Sequence, residues 1–334
     1  MFIRKTPTIK NGSYSHSSLE AMTIGGVEQW VLIRGQDRRK PILLWVHGGP
    51  GAAQIGFISQ YTSEYEKDFL VVNWDQRGAG LSFSKKITKE SMTVEQMLND
   101  LIELVRVLCT RFQQDKVYIL GHSWGTVLSY LAIKRHPELF HGYISVSQIV
   151  NWKQLEYVSY ERTLQKAKEV GNEKAYTQLI KIGAPPWDKV SSEHIHNHWL
   201  QKFGGGVIHK GSFMKLFLLP LFKRSEYHLF DVIKWLKGQW FSKSSLKEEA
   251  ETIDLYQDDL SVQVPIAFCN GRYDYTCPGE LAEDFFHKLQ APAKKWVWFE
   301  KSAHTPMLEE EDFFHRFILD TIKEWQKNLI NLER

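Results

Sequence analysis

The chain has 334 residues, of which 43% are hydrophobic and 13% aromatic, so it can bury a sizeable core and is not disordered. Its 42 basic and 39 acidic residues give a net charge of +3, a near balance that argues against a nucleic-acid-binding or membrane-surface protein. The three scattered cysteines are too few for a disulfide framework, and no stretch resembles a leader or a membrane span. These features predict a cytoplasmic protein with one core domain and an insertion.

The first predicted elements are a hairpin and a buried strand. Residues 20–35 alternate apolar and polar around a Gly-Gly pair, which predicts an N-terminal hairpin. The continuous apolar run 41–46 is typical of a strand buried on both faces, and it ends in the glycine-rich loop 47–51. Such a loop exposes backbone N–H groups to an anion, although an ordinary turn is the alternative. A phosphate-binding P-loop is disfavoured, because its lysine and its Ser/Thr are missing.

A second buried strand and a long helix follow. The strand covers residues 68–74, and we interpret the turn after it as structural, with an Asp75–Arg77 pair that buttresses neighbouring loops. Thr93 then caps the helix, with Gln96 in the capping-box position. Apolar residues recur at helical spacing and are predicted to pack on the sheet. They are Val94, Met97, Leu98, Leu101, Val105 and Leu108.

The next strand, 117–120, runs directly into the sequence Gly-His-Ser-Trp-Gly and then into a helix-like run. This is the nucleophile-elbow pattern, in which a serine, here Ser123, sits on a sharp and strained turn with its hydroxyl exposed. Gly121 and Gly125 supply hydrogens where side chains would collide. The N–H of Trp124 has no partner inside the helix and is therefore available to an oxyanion. A tight turn that only happens to contain a serine is the alternative.

From about residue 151 to residue 258 the strand–helix alternation stops, and aromatic residues and lysines crowd together between proline and glycine breaks. We predict that 151–258 form a mostly helical cap, inserted between two parts of a core domain at 1–150 and 259–334. The three histidines of 194–198 have no acidic or cysteine partner at obvious metal-ligand spacing. A solvated or locally hydrogen-bonded helix face is therefore favoured over a zinc site. The glycines of 204–206 are interpreted as a hinge or turn of the cap.

The sheet pattern extends through 142–146 before the cap and resumes after it with the strands 264–269 and 295–299. Strands that alternate with helices predict an α/β fold with a mostly parallel sheet covered on both faces. An amphipathic helix closes the chain, and its predicted inner face consists of Phe313, Phe314, Phe317, Ile318 and Trp325.

Three side chains of complementary chemistry stand in the order Ser123, Asp274, His304, the last two each just after a predicted strand. Loops at the carboxyl ends of parallel strands converge into one site, and this chain order is that of α/β-hydrolases. An imidazole can take the serine proton at neutral pH, and a carboxylate holds the imidazole in the correct tautomer. We therefore predict a Ser-His-Asp triad. The alternative makes Asp274 a turn-former and His304 an ordinary loop histidine.

Four motifs together resemble the proline iminopeptidases (prolyl aminopeptidases) and their close α/β-hydrolase relatives. They are the residues 47–51, 75–78, 121–125 and 271–274. The resemblance covers the whole sheet domain and implies the α/β-hydrolase fold, a doubly wound, mostly parallel sheet with an inserted helical cap. It also implies a serine peptidase that removes an N-terminal residue, preferably proline, from peptides without any cofactor.

The same resemblance assigns roles to individual residues. It makes Ser123 the nucleophile, Asp274 the acid and His304 the base, and it assigns the oxyanion-binding N–H groups to Gly49 and Trp124.

The chain departs from the family in two places. Secure members carry a Trp-Glu pair in the cap, whose glutamate helps to bind the free amino group of the substrate, and no cap tryptophan here is followed by glutamate. The family histidine usually lies between glycine and serine, whereas His304 lies between alanine and threonine. Glu156, Glu161 and Glu226 are among the carboxylates that could replace the missing amine anchor, and the sequence does not choose among them.

The leading hypothesis is an aminopeptidase that acts by acyl transfer and releases N-terminal proline, or a similar residue, from a small peptide. An esterase or amidase for small acyl substrates, with the same triad, is the alternative enzyme. A non-catalytic ligand-binding protein of this fold ranks lower. Epoxide hydrolase and haloalkane dehalogenase activities are disfavoured, because those enzymes place aspartate where Ser123 stands. No nucleic acid, membrane, metal or cofactor is expected, and the sequence does not indicate an oligomeric state.

Overall fold

An eight-stranded β-sheet runs through the centre of the computed structural model, which describes residues 4–223 and 225–332. The strands in chain order are β1 His16–Ile24, β2 Val27–Gly35, β3 Ile42–Val46, β4 Leu70–Asp75, β5 Val117–His122, β6 Phe140–Val146, β7 Ile266–Gly271 and β8 Lys294–Phe299. Residues 1–3 and 333–334 of the predicted core and residue 224 of the predicted cap lie outside the described residues.

The order of the strands across the sheet is β1-β2-β4-β3-β5-β6-β7-β8. β1 and β2 pair antiparallel, which confirms the predicted hairpin, and β2 also runs antiparallel to β4. All the other neighbours pair in parallel, from β4 to β8 across the sheet. The prediction of a mostly parallel sheet is therefore confirmed, and the carboxyl ends of its parallel strands lie along one edge.

The helices cover both faces of this sheet and fill the stretch between β6 and β7. In chain order they are α1 Ile55–Thr62, α2 Val94–Phe112, α3 Trp124–Arg135, α4 Trp152–Glu169, α5 Glu173–Ile182, α6 Val190–Lys202, α7 Leu219–Lys223, α8 Leu229–Ala250, α9 Gly279–Lys288, α10 Pro306–Glu309 and α11 Glu311–Leu332. None of the helices within the described residues has the length and apolar character needed to span a bilayer.

The core consists of two apolar layers, one on each face of the sheet. Successive residues of β3 alternate between them, since Leu44 packs in the layer under α2 and α3, and Trp45 packs in the layer under α11. Strands covered on both faces need apolar residues at every position, which explains the continuous apolar runs in the sequence. Of the apolar residues predicted on the inner face of α2, five are buried in the first layer and Val94 packs against it half-buried.

The C-terminal helix corrects one prediction. Phe314, Ile318 and Trp325 are buried in the second layer and Phe317 packs against it, as the spacing predicts. Phe313, however, is 41% exposed, and its ring centroid lies 5.1 Å from that of Phe299. At about 100° per residue, Phe313 lies farther around the helix from the buried Ile318 and Trp325 than Phe317 does, so it stands at the margin of the inner face.

The start of α2 differs from a complete capping box. The Gln96 backbone N–H donates to the Thr93 hydroxyl at 3.1 Å, as predicted. The Gln96 side chain does not reach back to Thr93 and donates instead to Asp100 Oδ1 at 2.7 Å.

Asp100 also corrects the predicted Asp75–Arg77 pair. Arg77 forms a two-pronged ion pair with Asp100 of α2, with Nε at 2.7 Å from Oδ2 and Nη2 at 2.8 Å from Oδ1. Both side chains are buried, and Gln29 donates a further hydrogen bond to Asp100 at 2.7 Å. Asp75 bonds elsewhere, accepting from the Leu81 N–H at 2.9 Å and from the Tyr227 hydroxyl. A buried ion pair of Arg77 is therefore present, as predicted, but Asp100 of α2 supplies its carboxylate instead of Asp75.

We expect Asp100→Asn to lower the free energy of unfolding by about 3–5 kcal/mol, because the change leaves the buried Arg77 guanidinium without its counter-charge. The shift of the urea unfolding midpoint measures this effect. Asp37→Asn is the matched control, because Asp37 forms an exposed pair with Arg39 and exposed pairs contribute little. Equal midpoints for the two variants would contradict a structural role of the buried pair.

Candidate active site

Ser123 stands on a sharp turn between β5 and α3. Its backbone has φ 52° and ψ −121°, a conformation that is strained for a residue with a side chain. A Cβ at Gly121 would lie 2.6 Å from the Gly125 carbonyl oxygen, and a Cβ at Gly125 would collide with the carbonyl of Val46. The predicted reason for the two glycines is therefore confirmed, and the turn has the geometry of a nucleophile elbow.

Neighbouring backbone holds this turn in place. The Ser123 N–H donates to the Val146 carbonyl at 2.9 Å, which ties the elbow to the end of β6. A Cβ at Gly48 would lie 3.0 Å from the Ser123 Cβ, so the loop after β3 passes directly beside the serine. Ser123 is 7% exposed and lines a cleft under the helices that follow β6.

Asp274 and His304 follow the parallel neighbours β7 and β8, and their side chains meet at the sheet edge. The His304 Nδ1 lies 2.9 Å from Asp274 Oδ2, and both residues are buried. The other carboxylate oxygen, Oδ1, accepts from the Cys277 N–H at 2.8 Å. Because a carboxylate can only accept, Nδ1 carries a proton, and in the neutral form of the ring Nε2 is the acceptor.

The hydroxyl of Ser123 lies beside the Cys277 thiol. Burial raises the pKa of this thiol well above its usual range, and a hydrogen bond from Ser123 acts in the opposite direction. The hydrogen bonds of the described residues include none between the Ser123 hydroxyl and the His304 imidazole. Bonds of this kind are often long or absent in unliganded enzymes and form with the substrate.

His122 connects the elbow to the loop of His304. Its Nε2 lies 2.8 Å from the His304 carbonyl oxygen, and the two imidazole rings lie 4.8 Å apart. Burial lowers the pKa of His122 to about 3, so its ring is neutral at physiological pH and Nε2 donates its proton to the carbonyl. The Ser147 hydroxyl donates to the same carbonyl at 3.3 Å. The sequence does not single out His122 for this role, because the elbow pattern accepts any residue there.

Of the two residues assigned to the oxyanion site, Trp124 follows Ser123 in the chain and Gly49 lines the same cleft. Trp124 is the first residue of α3, so its N–H has no acceptor within the helix. Gly49 lines the cleft with Ser123 and has φ 123°, a conformation that favours glycine. A Cβ at Gly49 would collide with the backbone nitrogens of Gly51 and Ala52.

His47 fixes the loop that carries Gly49. Its Nδ1 lies 2.8 Å from the Gly48 carbonyl oxygen, and its Nε2 accepts from the Gln76 N–H at 3.1 Å. Burial lowers the pKa of His47 to about 4, so the ring is neutral, with its proton on Nδ1. The histidine thus joins the loops after β3 and β4. The sequence signal for the contact between His47 and Gln76 is that each residue closely follows a predicted buried strand.

Helices α4, α6 and α8 form the other wall of the cleft, which is partly open to solvent. Trp152 of α4 and Trp187, which lies between α5 and α6, line the same cleft, in agreement with the predicted aromatic roof. Among the histidines of 194–198, His196 faces the cleft and lies 3.3 Å from the Thr163 hydroxyl. Burial lowers the pKa of His196 to about 4. Within 4–223 and 225–332, no group of three or more His, Cys, Asp or Glu side chains is arranged to hold a metal ion.

Three glutamates line the same cleft as Ser123. Glu193 is paired with Lys243 at 2.9 Å and with Lys247 at 3.0 Å, and Glu251 lies 3.8 Å from Lys247. Glu156 of α4 forms no ion pair with any described residue. Burial raises the pKa of Glu156, while a hydrogen bond from Trp152 lowers it.

The other two candidate carboxylates lie elsewhere. Glu161 lines a shallow depression on the outer surface, beside Arg162. Glu226 is buried and accepts from the hydroxyls of Ser59 and Thr6, each at 2.9 Å. Of the three glutamates named among the candidates in the sequence, Glu156 is therefore the one that shares the cleft with Ser123.

The chain is similar to proteins that are named as aminopeptidases or probable aminopeptidases. Residues 37–199 match the family model described as serine aminopeptidase, S33. The probable aminopeptidase YbaC of Bacillus subtilis (strain 168) is 35% identical over 298 residues, which are 89% of this chain and 93% of the relative. A proline iminopeptidase of Clostridioides difficile (strain 630) is 24% identical over 309 residues, 91% of this chain and 96% of the relative.

Solved structures agree on the fold. The crystal structure of VinJ has a TM-score of 0.70 at 18% identity, covering 92% of this chain and 99% of its own. The proline iminopeptidase of Mycobacterium smegmatis has a TM-score of 0.63 at 15% identity, covering 93% and 100%. At such identities the likeness establishes the α/β-hydrolase fold alone. The family assignment follows from the 35% identical relative and from the match of residues 37–199 to the family model. The chain belongs to the S33 serine aminopeptidase family of α/β-hydrolases.

Proposed function

We propose that the protein is a serine aminopeptidase whose catalytic triad consists of Ser123, His304 and Asp274. The observation that supports this most is the 2.9 Å hydrogen bond between His304 and Asp274 at the sheet edge where Ser123 stands on its strained turn. Ser123 has a strained backbone, and the glycines on both sides of it leave room for the turn. Such a turn is typical of a nucleophile that projects into a cleft. The buried carboxylate is placed to stabilise the imidazolium that forms when the base takes a proton.

Catalysis would proceed by acyl transfer in two steps. The Ser123 oxygen attacks the carbonyl carbon of the substrate while His304 Nε2 takes the hydroxyl proton. The N–H groups of Gly49 and Trp124 hold the oxyanion of the tetrahedral intermediate. Its collapse breaks the C–N bond, and His304 gives the proton to the leaving amine. Water then attacks the acyl-enzyme through the same base, the ester bond breaks, and Ser123 regains its proton.

The proposed substrate is a small peptide with a free N-terminal amine. An exopeptidase needs an anionic group for the substrate ammonium, and Glu156 is the cleft carboxylate without an ion-pair partner among the described residues. The carboxylates of the cleft outnumber its lysines, so its charge suits a cation. We propose that the cleft wall that carries Glu156 belongs to a cap formed by residues 151–258. This cap covers a core domain formed by residues 1–150 and 259–334.

We further propose that the N-terminal residue is proline or a residue of similar size. Relatives named proline iminopeptidase match about nine-tenths of this chain, which supports that choice. Trp152 and Trp187 offer apolar surface suited to a pyrrolidine ring, beside the proposed amine anchor.

We expect Glu156→Gln to raise KM for prolyl-naphthylamide about 10- to 100-fold, because a hydrogen bond to a charged group contributes about 1.5–3 kcal/mol. Hydrolysis of p-nitrophenyl acetate, which has no ammonium, should be unchanged. In the wild type, KM for the prolyl substrate should rise as the pH falls through the raised pKa of Glu156, since protonation removes its charge. The variant should lose this dependence. Steady-state kinetics on both substrates across pH measures all of these effects.

Glu161→Gln is the matched control, because Glu161 belongs to the same helix but lies outside the cleft. It should behave as wild type on both substrates. Equal KM values for Glu156→Gln and Glu161→Gln would reject the amine anchor. A wild type that hydrolyses only the ester would favour the esterase alternative.

A further inference from the structure

Residues 204–210, a segment of the proposed cap, lie across the loop that carries Asp274 and the loop that carries His304. The Gly205 carbonyl accepts from the N–H of Tyr275, which follows Asp274, at 2.9 Å. The Gly206 carbonyl accepts from the N–H of His304 itself at 3.3 Å. The backbone of 204–210 therefore bonds the acid loop and the base loop at the same time, although the sequence suggests only a hinge or turn there.

The side chains in this region strengthen the connection. The Thr305 hydroxyl donates to the Val207 carbonyl at 2.8 Å. A Cβ at Gly205 would collide with the ring of Tyr275, so the segment lies directly against the acid loop. The segment cannot shift along these loops without breaking several hydrogen bonds or moving Tyr275.

One carboxylate joins the two sides of this contact. Glu309 Oε1 accepts from the N–H groups of His209 at 2.7 Å and of Lys210 at 3.3 Å, both in the cap segment. Its Oε2 accepts from the Ala303 N–H at 2.8 Å, one residue before His304. A half-buried carboxylate that accepts three backbone N–H groups holds them in a fixed relative position.

We propose that Glu309 is a positioning residue, which clamps the loop of His304 against the cap segment 204–210 and thereby holds the base in register with Asp274. This proposal rests on the proposed function, in which His304 is the base. The contact of Glu309 with Ala303 places it one residue from the imidazole without touching the reacting atoms. Its effect on catalysis is therefore transmitted through the backbone.

The test compares two neighbouring glutamates that hold the same loop. Glu309→Gln keeps the size of the side chain but turns one acceptor oxygen into an N–H donor that faces a backbone N–H. Glu310→Gln is the control, since Glu310 bonds the Lys301 N–H at 2.9 Å and the Ser302 hydroxyl at 2.7 Å, and no cap residue. We expect Glu309→Gln to lower kcat about 10- to 100-fold with little change in KM, because a misplacement of about 1 Å can cost 10²-fold. Glu310→Gln should retain the wild-type kcat.

A spectroscopic measurement separates positioning from simple destabilisation. The His304 Nδ1 proton, hydrogen-bonded to Asp274, should give a far-downfield proton resonance in the NMR spectrum, assigned by its loss in Asp274→Asn. We expect this resonance to shift or broaden in Glu309→Gln and to stay in place in Glu310→Gln. An unchanged resonance and kcat in a folded Glu309→Gln protein would overturn the proposal.

Thr305→Val provides a second route if Glu309→Gln does not fold. It preserves the shape of the side chain and removes only the hydrogen bond to Val207. It should lower kcat in the same direction, and a wild-type kcat and resonance would overturn the proposal. A wild-type enzyme without hydrolytic activity would reject the proposed function. The resonance would still report whether Glu309 holds the imidazole beside Asp274, so the two failures can be told apart.

Discussion

Replacing Ser123 by alanine is expected to lower kcat by roughly 10⁶, the loss measured when the best-studied serine protease loses its nucleophile. The covalent acyl-enzyme cannot form without the hydroxyl, so only the residual contribution of the oxyanion site and substrate binding should remain. The fold should persist, because Ser123 forms its structural hydrogen bonds through its backbone, to Val146 and Thr126. Steady-state rates with prolyl-naphthylamide and with p-nitrophenyl acetate measure the loss.

Ser129→Ala is the matched control for this change. Ser129 is a buried serine of α3, the helix that begins directly after Ser123, and its hydroxyl has no hydrogen-bond partner among the described residues. It should retain activity and react with a fluorophosphonate probe, whereas Ser123→Ala should not be labelled. Near-wild-type turnover by Ser123→Ala would end the proposed mechanism. A wild-type protein that the probe does not label would favour the non-catalytic, ligand-binding alternative.

The sheet and the strand ends could be predicted because their signals are local. A strand covered on both faces needs consecutive apolar residues, and the loops at its carboxyl end follow directly in the sequence. The sequence therefore predicts Asp274 and His304 each just after a strand, and the structure has these two strands as parallel neighbours. The elbow glycines could be predicted for the same reason, since the backbone that excludes a Cβ at Gly121 belongs to the same turn.

The wrong or missing predictions concern partners that are distant in the chain. The spacing of Asp75 and Arg77 suggests a local pair, but Asp100 of α2 competes for the guanidinium and Tyr227 for the carboxylate. No periodicity distinguishes Glu156, whose neighbours in the cleft come from three helices. The contact of Glu309 with the cap joins residues about 100 positions apart. A single sequence contains no signal for such contacts, because only the packed structure determines them.

Asp274→Asn is expected to lower kcat by about 10⁴, as the same change does in the best-studied serine protease triad. The Cys277 N–H lies 2.8 Å from Oδ1 and requires an acceptor there, so the asparagine oxygen takes that position and its NH₂ faces His304. Nδ1 must then accept, and the imidazole proton moves to Nε2, where the ring can no longer take a proton from Ser123. Rates on the prolyl substrate, with Asp188→Asn as an exposed control in the proposed cap, measure the loss. A kcat within about tenfold of wild type would mean that the 2.9 Å contact does not set the tautomer of the base, contrary to the usual role of the triad carboxylate.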